Sequence, residues 1–338
     1  KGLGWELLQA TIAGYSRHPN FGGLIVIGLG CEVNQVSGMA QSMDWASSDT
    51  FKMMTIQEVG GTRKTIQEGV EMIKQMLPIL NKNKREKSPA SELILGLECG
   101  GSDAYSGMTA NPALGSAVDL LVKNGGTGTL AETPEIFGAE HLLTRRAINE
   151  EVGQKIVNFI KWWQEDYLVK FEENREQLHQ DPSPGNKAGG LTTILEKSLG
   201  AVAKGGTTNL VDVYQFAENI KAKGFTFMNT PGYDVTSVTG LIAGGANMIC
   251  FTTGRGSVFG CKPAPSIKLA TNDDLYNRMT EDMDVNCGKI LLGESTIDEM
   301  GEEIFQLILD VASGKQSKSE INGLGDLEFV PWQMGAIT

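Results

Sequence analysis

No run of apolar residues in these 338 residues approaches the roughly 20 that a membrane span requires, so no transmembrane helix is expected. Basic residues are scarce beside acidic ones, 29 against 41, and the formal net charge is −12. That balance argues against a nucleic-acid partner, which needs a basic face. It leaves room for an anionic small molecule, because one local Arg or Lys pocket suffices. Five cysteines in so long a chain do not make a disulfide scaffold and fit a reducing cytoplasm. The sequence has no Walker-type Gly-Lys-Ser/Thr loop and no His-Glu-x-x-His. Gly28-Leu29-Gly30 begins like a dinucleotide fingerprint, but Val33 stands where the third glycine belongs. Lys1-Gly2-Leu3-Gly4 carries neither an initiator Met nor a signal-peptide pattern, and reads as the start of a fragment or of a processed chain.

What the sequence does have is glycine. Its 42 glycines are about 12% of the chain against a usual 7% or so, without a collagen-like period, and many fall in doublets between apolar runs. Short β-rich runs alternate with longer helical patterns. Strands are expected at 23–28, 51–56, 93–97, 128–132, 208–213, 225–229, 247–252 and 266–270. Helices are expected at 5–16, 64–81, 112–123, 135–147, 150–178, 235–243 and 297–313. In the longest, Ile156, Phe159, Ile160, Trp163 and Tyr167 recur at helical spacing and read as a core or interface stripe. The pattern predicts an α/β fold: a variant Rossmann-like, mostly parallel sheet with helices on both faces. The chain reads as one large domain over 1–338, with residues 1–20 as a possible tail of a preceding domain. The polar stretch 172–187 reads as a boundary or as an insertion returning to the site.

Ligands of an open parallel sheet bind beyond the carboxyl ends of its strands. Three such ends pair glycine with a capable side chain: Gly28-Leu29-Gly30-Cys31-Glu32, Glu98-Cys99-Gly100-Gly101-Ser102-Asp103, and Thr252-Thr253-Gly254-Arg255-Gly256. Cys31 and Cys99 are expected on one edge of one sheet, either as small buried residues or as two thiolate ligands for iron. Cys250 reads as core, and Cys261 and Cys287 lack partners at metal-ligand spacing. Ser102 and Asp103 serve either as turn and cap groups or as polar contacts to a substrate or metal. Arg255, flanked by glycines, is suited to grip a carboxylate with both arms of its guanidinium. Lys187, in Pro184-Gly185-Asn186-Lys187-Ala188-Gly189-Gly190, is either a surface lysine, a base or a carboxylate anchor. His141 falls in an expected helix. His18 and His179 lie in polar contexts and are expected to be solvated.

Four segments together resemble the altronate/galactarate dehydratase family. They are Ile27–Glu32, Glu98–Gly107 with Thr109-Ala110-Asn111-Pro112, Pro182–Gly190 and Phe251–Gly256, in one order from about His18 to Lys315. Phe137-Gly138-Ala139-Glu140 and Thr192-Thr193-Ile194 resemble the altronate branch more than the galactarate branch; sulfolactate sulfo-lyase large subunits are similar too. The resemblance implies a cytoplasmic lyase that removes water from a sugar acid, D-altronate to 2-dehydro-3-deoxy-D-gluconate, with Fe2+ (or Mn2+) or an iron–sulfur cluster. It implies further chain before the matched region, with another Gly-Cys-Gly-type motif that this sequence lacks, and a homodimer of the full-length protein. On this reading Arg255, Ser102, Asp103 and Asn186 bind substrate, and Cys31, Cys99 and Asp103 bind metal. Lys187 is the preferred base, with His141 and Tyr105 as alternatives. A non-catalytic binding or scaffold subunit is the contrasting class.

Overall fold

A computed structural model describes residues 2–167 and 182–334. Its centre is a seven-stranded sheet of order β5-β6-β4-β3-β7-β8-β9, parallel throughout. The strands are β3 (Ile94–Cys99), β4 (Thr127–Leu130), β5 (Leu210–Tyr214), β6 (Gly224–Met228), β7 (Met248–Thr253), β8 (Ser266–Ala270) and β9 (Val285–Asn286). Parallel strands need crossovers, and helices supply them on both faces. On one face the Ala110–Lys123 helix sets Ala113, Leu114, Ala117, Val118 and Leu121 over Leu95, Leu97 and Leu130. The Ile297–Ala312 helix packs outside it through Met300, Ile304 and Ile308. On the other face the Asp234–Ala243 helix sets Val238, Leu241 and Ile242 over Ile249 and Phe251. Strand β7 splits accordingly, Cys250 to the first layer and Ile249 and Phe251 to the second.

The expected α/β fold is present, with one correction. The first two expected strands, β1 (Leu24–Gly28) and β2 (Phe51–Thr55), form a separate two-stranded parallel sheet. Cys31, three residues past β1, and Cys99, the last residue of β3, therefore belong to different sheets. Between the two sheets runs the exposed, charged stretch 82–89, Lys-Asn-Lys-Arg-Glu-Lys-Ser-Pro, which forms neither helix nor strand.

Smaller differences have local causes. The helix expected over 135–147 is a 3-10 turn at Thr133–Ile136 and a short helix at His141–Thr144; Gly138 between them has φ +80° and interrupts the helical path. The helix starting at Glu150 runs to Lys161 and continues as a π-helical turn, Trp162–Tyr167. Residues 168–178 of its expected length, and His179 after them, lie outside the described residues. Its stripe is core as expected: Ile156, Ile160 and Trp163 are buried, and Trp163 stacks on Trp332. His18 is buried rather than solvated. Its Nε2 lies 3.0 Å from Ala246 O and its ring meets Phe21 edge-on, so a polar local sequence is covered by tertiary contact. Among the described residues no helix is long and apolar enough to cross a membrane.

Candidate active site

The chain leaves β3 for β4 on one side and β7 for β8 on the other, so the direction of winding reverses between β3 and β7. In parallel α/β sheets that crevice, at the carboxyl ends, is where ligands sit. Two loops meet there. Gly100 N–H donates to Thr252 O, and the N–H groups of Gly254 and Arg255 both donate to Gly101 O. Gly254 is required by this approach: a Cβ on it would stand 2.0 Å from Asp103 Cγ.

Cys99 ends β3 with Glu98 beside it, and strand alternation sends the two side chains to opposite faces. Glu132 follows β4 and closes over both. Its φ of +67° is a left-handed conformation that a non-glycine residue holds only when the surroundings enforce it. Its backbone N–H donates to Thr230 Oγ1 (2.8 Å), Thr230 meets Ser237 Oγ (2.8 Å), and Ser237 donates to Glu98 Oε2 (2.8 Å). The Cys99 thiol donates to Glu132 Oε2 (3.4 Å) and to Glu135 Oε2 (3.2 Å). Lys204 Nζ lies 3.3 Å from Glu132 Oε2, both side chains fully buried, and Lys197 Nζ lies 2.5 Å from Glu135 Oε1. Asp234, first residue of its helix, packs against Gly100, where a Cβ would stand 2.2 Å from its Oδ2.

Two sets of donor atoms result. Cys99, Glu132 and Glu135 lie within 4.8 Å of one another, as do Glu98, Glu132 and Asp234. Buried carboxyls this close cannot all ionise. Burial, then the charge of Glu132, pushes Glu98 well above the carboxylate range, and burial, then the charge of Glu135, raises Glu132 as well. Burial, then Glu132, raises Asp234 to about 7. Burial, then Glu132 and Glu135, raises Cys99 well above an ordinary thiol. Lys197 and Lys204 are held charged: the surrounding anions outweigh the burial that would neutralise them. Four carboxyls thus face two ammonium groups. Glu98 Oε1 and Glu132 Oε1 are buried with no hydrogen-bond partner among the described residues. Orphaned oxygens beside a thiol form a mixed oxygen–sulfur donor set that fits a divalent cation.

The residues singled out from sequence divide around this cluster. Cys99 is in it. Cys31 is exposed, beyond β1, and is in neither donor set. Asp103 is buried, with its carboxylate already accepting from Ser106 Oγ (3.0 Å), Thr271 Oγ1 (2.9 Å) and Asn272 Nδ2 (3.0 Å); it braces the β3 loop against the β8 loop. Asn186 Nδ2 donates to Ser102 O (2.9 Å), clamping the Pro184–Ala188 helix to that loop. Arg255 and Tyr105 line one cleft of about 430 Å³, together with Arg278 and Asn272. Lys187 is exposed on the helix whose neighbouring Ala188 and Gly189 line that cleft. A second cleft of about 520 Å³ is lined by Ser102, Asp103 and Lys197, so Asp103 is the wall between them. His141 is exposed, 3.1 Å from Gly138 O, and lines neither. Glu98, Glu132, Glu135, Asp234, Lys197 and Lys204 were not singled out. The available signal was charge inside apolar runs, as in Ile94-Leu95-Gly96-Leu97-Glu98, since charged residues are almost never fully buried unless paired.

A family profile described as D-galactarate/altronate dehydratase, C-terminal, matches residues 90–337. The chain belongs to the galactarate/altronate dehydratase family. A second profile, D-galactarate dehydratase/altronate hydrolase, second domain, matches residues 2–81, the stretch that holds the two-stranded sheet. The chain is 41% identical over 312 residues to the galactarate dehydratase (L-threo-forming) of Escherichia coli (strain K12), covering 90% of this chain and 59% of that protein. It is 40% identical over 313 residues to the altronate dehydratase of Bacillus subtilis (strain 168), covering 92% and 61%. It therefore spans about three fifths of the length of both family members. The beta subunit of the (2R)-sulfolactate sulfo-lyase of Chromohalobacter salexigens is 31% identical over 332 residues, covering 97% and 83%.

Proposed function

We propose that this chain is the catalytic part of a hydro-lyase that removes water from a sugar acid, D-altronate first. The observation that supports it most is the Cys99–Glu132–Glu135 cluster, with the orphaned Glu132 Oε1; its Lys197 partner lines the cleft that Asp103 separates from the Arg255 cleft. Elimination next to a carboxylate builds a second negative charge, and a group that leaves as hydroxide needs help. Arg255 would hold the substrate carboxylate with two parallel hydrogen bonds. Lys197 and Lys204 would keep Glu135 and Glu132 in place as anionic donors. Cys99, Glu132 and Glu135 would hold a divalent ion, which would supply Lewis-acid polarisation there.

Fe2+ suits a donor set of one sulfur and several oxygens, with Mn2+ second. The carboxylates around Cys99 favour a single ion over an iron–sulfur cluster, which takes its ligands chiefly from cysteines. For the C2 proton, Tyr105 lines the Arg255 cleft and Lys187 stands at its margin, and these are the two bases to compare. Five free thiols fit a reducing cytoplasm. Galactarate is the second reading: Arg278 lines the same cleft as Arg255 and would meet the second carboxylate of a diacid.

The test is an anaerobic assay with Fe2+ on altronate, galactarate and sulfolactate, using the polypeptide that naturally carries these residues. Arg255→Ala is expected to lower kcat/KM by about 100-fold or more; a change under about threefold overturns its role. Glu132→Gln is expected to abolish stoichiometric metal content, and full metal occupancy in that variant removes the cluster from the proposal. Solvent-deuterium exchange at C2, lost in the variant lacking the base, separates Tyr105→Phe from Lys187→Ala.

A further inference from the structure

Leu24, Ile25, Val26 and Ile27 of β1 all line a cleft of about 450 Å³. Side chains of a strand alternate between faces, so four consecutive residues share one cleft only along the strand's backbone edge. No β2 residue lines it, which places the cleft on the edge away from β2. Leu24 N–H donates to Thr50 O. The parallel ladder therefore turns Leu24, Val26 and Gly28 toward β2, and turns the N–H and C=O groups of Ile25 and Ile27 into the cleft. Among the described residues β1 pairs with β2 alone. The far wall is Ile12 and Tyr15 of the Leu3–Ser16 helix, Pro263, and Phe329. This is a slot with main-chain hydrogen-bonding groups on one side and mainly apolar side chains on the other, with Lys262, Asp326 and Glu328 also in its lining.

We propose that the slot is a strand-acceptor site: an extended apolar segment adds to β1 as a third strand, bonded to Ile25 and Ile27, and comes from polypeptide outside these 338 residues. A two-stranded sheet is marginal by itself, and natural proteins cover or pair an open edge. The chain spans about three fifths of two family members, and the profile over residues 2–81 is that of a second domain, so those relatives carry polypeptide beyond the match. A second copy of this chain does not fit. Its own β1 edge lies behind the same wall, and two recessed edges cannot meet.

Amide-resolved hydrogen exchange reads the site directly, on the 338-residue chain and on the natural polypeptide that carries it. In the 338-residue chain the Ile25 and Ile27 amides are expected to exchange about 100-fold faster than those of Leu24 and Val26. In the natural polypeptide all four are expected to be protected alike. Three results overturn the proposal: equal protection in the 338-residue chain, fast exchange at Ile25 and Ile27 in the natural polypeptide, or protection that appears only as protein concentration rises. Ile25→Pro removes an outward N–H without touching the β1–β2 ladder. It is expected to lower the Tm of the natural polypeptide by several degrees and to leave that of the 338-residue chain nearly unchanged; the reverse pattern overturns the proposal.

Discussion

The two sheets are built from the same strand–helix alternation and end in opposite conditions. In the seven-stranded sheet β4, β6, β7 and β8 are buried at every residue, and β3 at all but its first. In the two-stranded sheet β1 buries only Gly28 and β2 only Met54, while Ile27 is 51% exposed. Both carry apolar runs, so the difference is not in the strands. It lies in what covers them: helices on both faces and paired strands on both sides of the central strands of one sheet, and an open edge beside β1 in the other. Full cover lowers the local dielectric, and only there does a cluster of buried carboxyls, a thiol and two lysines acquire perturbed protonation. The chemistry sits where the sheet is complete.

Three experiments press on that contrast, the largest effect first. Lys204→Met leaves Glu132 buried without its cation and is expected to cost about 3–5 kcal/mol in urea unfolding. The matching change in the other region, Lys74→Met, breaks an exposed Lys74–Glu71 pair and is expected to cost under about 1 kcal/mol. Comparable losses would mean that the two regions do not differ in cover. Leu97→Ala in β3 should cost about 2–5 kcal/mol, as cavity formation in a closed core does. Ile25→Ala in β1 should cost no more than about 1 kcal/mol, read from the same denaturation curves.

The smallest effect concerns the join between the regions. His18, just before β1, is held against Ala246 of the large sheet's layer, and burial lowers its pKa below the usual 6.5. The unfolded chain then binds more protons than the folded chain between those two values. This contribution is therefore fully present above pH 6.5 and is lost as pH falls toward the folded value. Tm is expected to decline over that window, and the decline should flatten in His18→Gln; an unchanged slope would show that another group carries it.

Much of the fold was legible locally. Ser266–Ala270 is a strand with the expected bounds, because its apolar run and flanking turns specify it. Cys99 was legible because glycines follow it at a strand end. Cys31 has the same local signature and sits on the other sheet, since a one-dimensional pattern does not say which strands pair. The acids are a different case. Glu132 is 33 residues from its thiol partner Cys99, and Lys204 is 72 residues from Glu132; the pairing of β3 with β4 unites the first two, and the packing of the Ala203–Gly205 turn on the Ala110–Lys123 helix and β4 brings the third.

The sequence by itself determined most of the element types, the parallel α/β class and the glycine-lined strand ends, because hydrophobic period and turn chemistry are local properties. Tertiary structure alone decided that there are two sheets, that His18 is buried, and that acids scattered from Glu98 to Asp234 share one water-poor site. Strand pairing is non-local, and burial, which sets the protonation of a carboxyl or a thiol, exists only once the strands have paired.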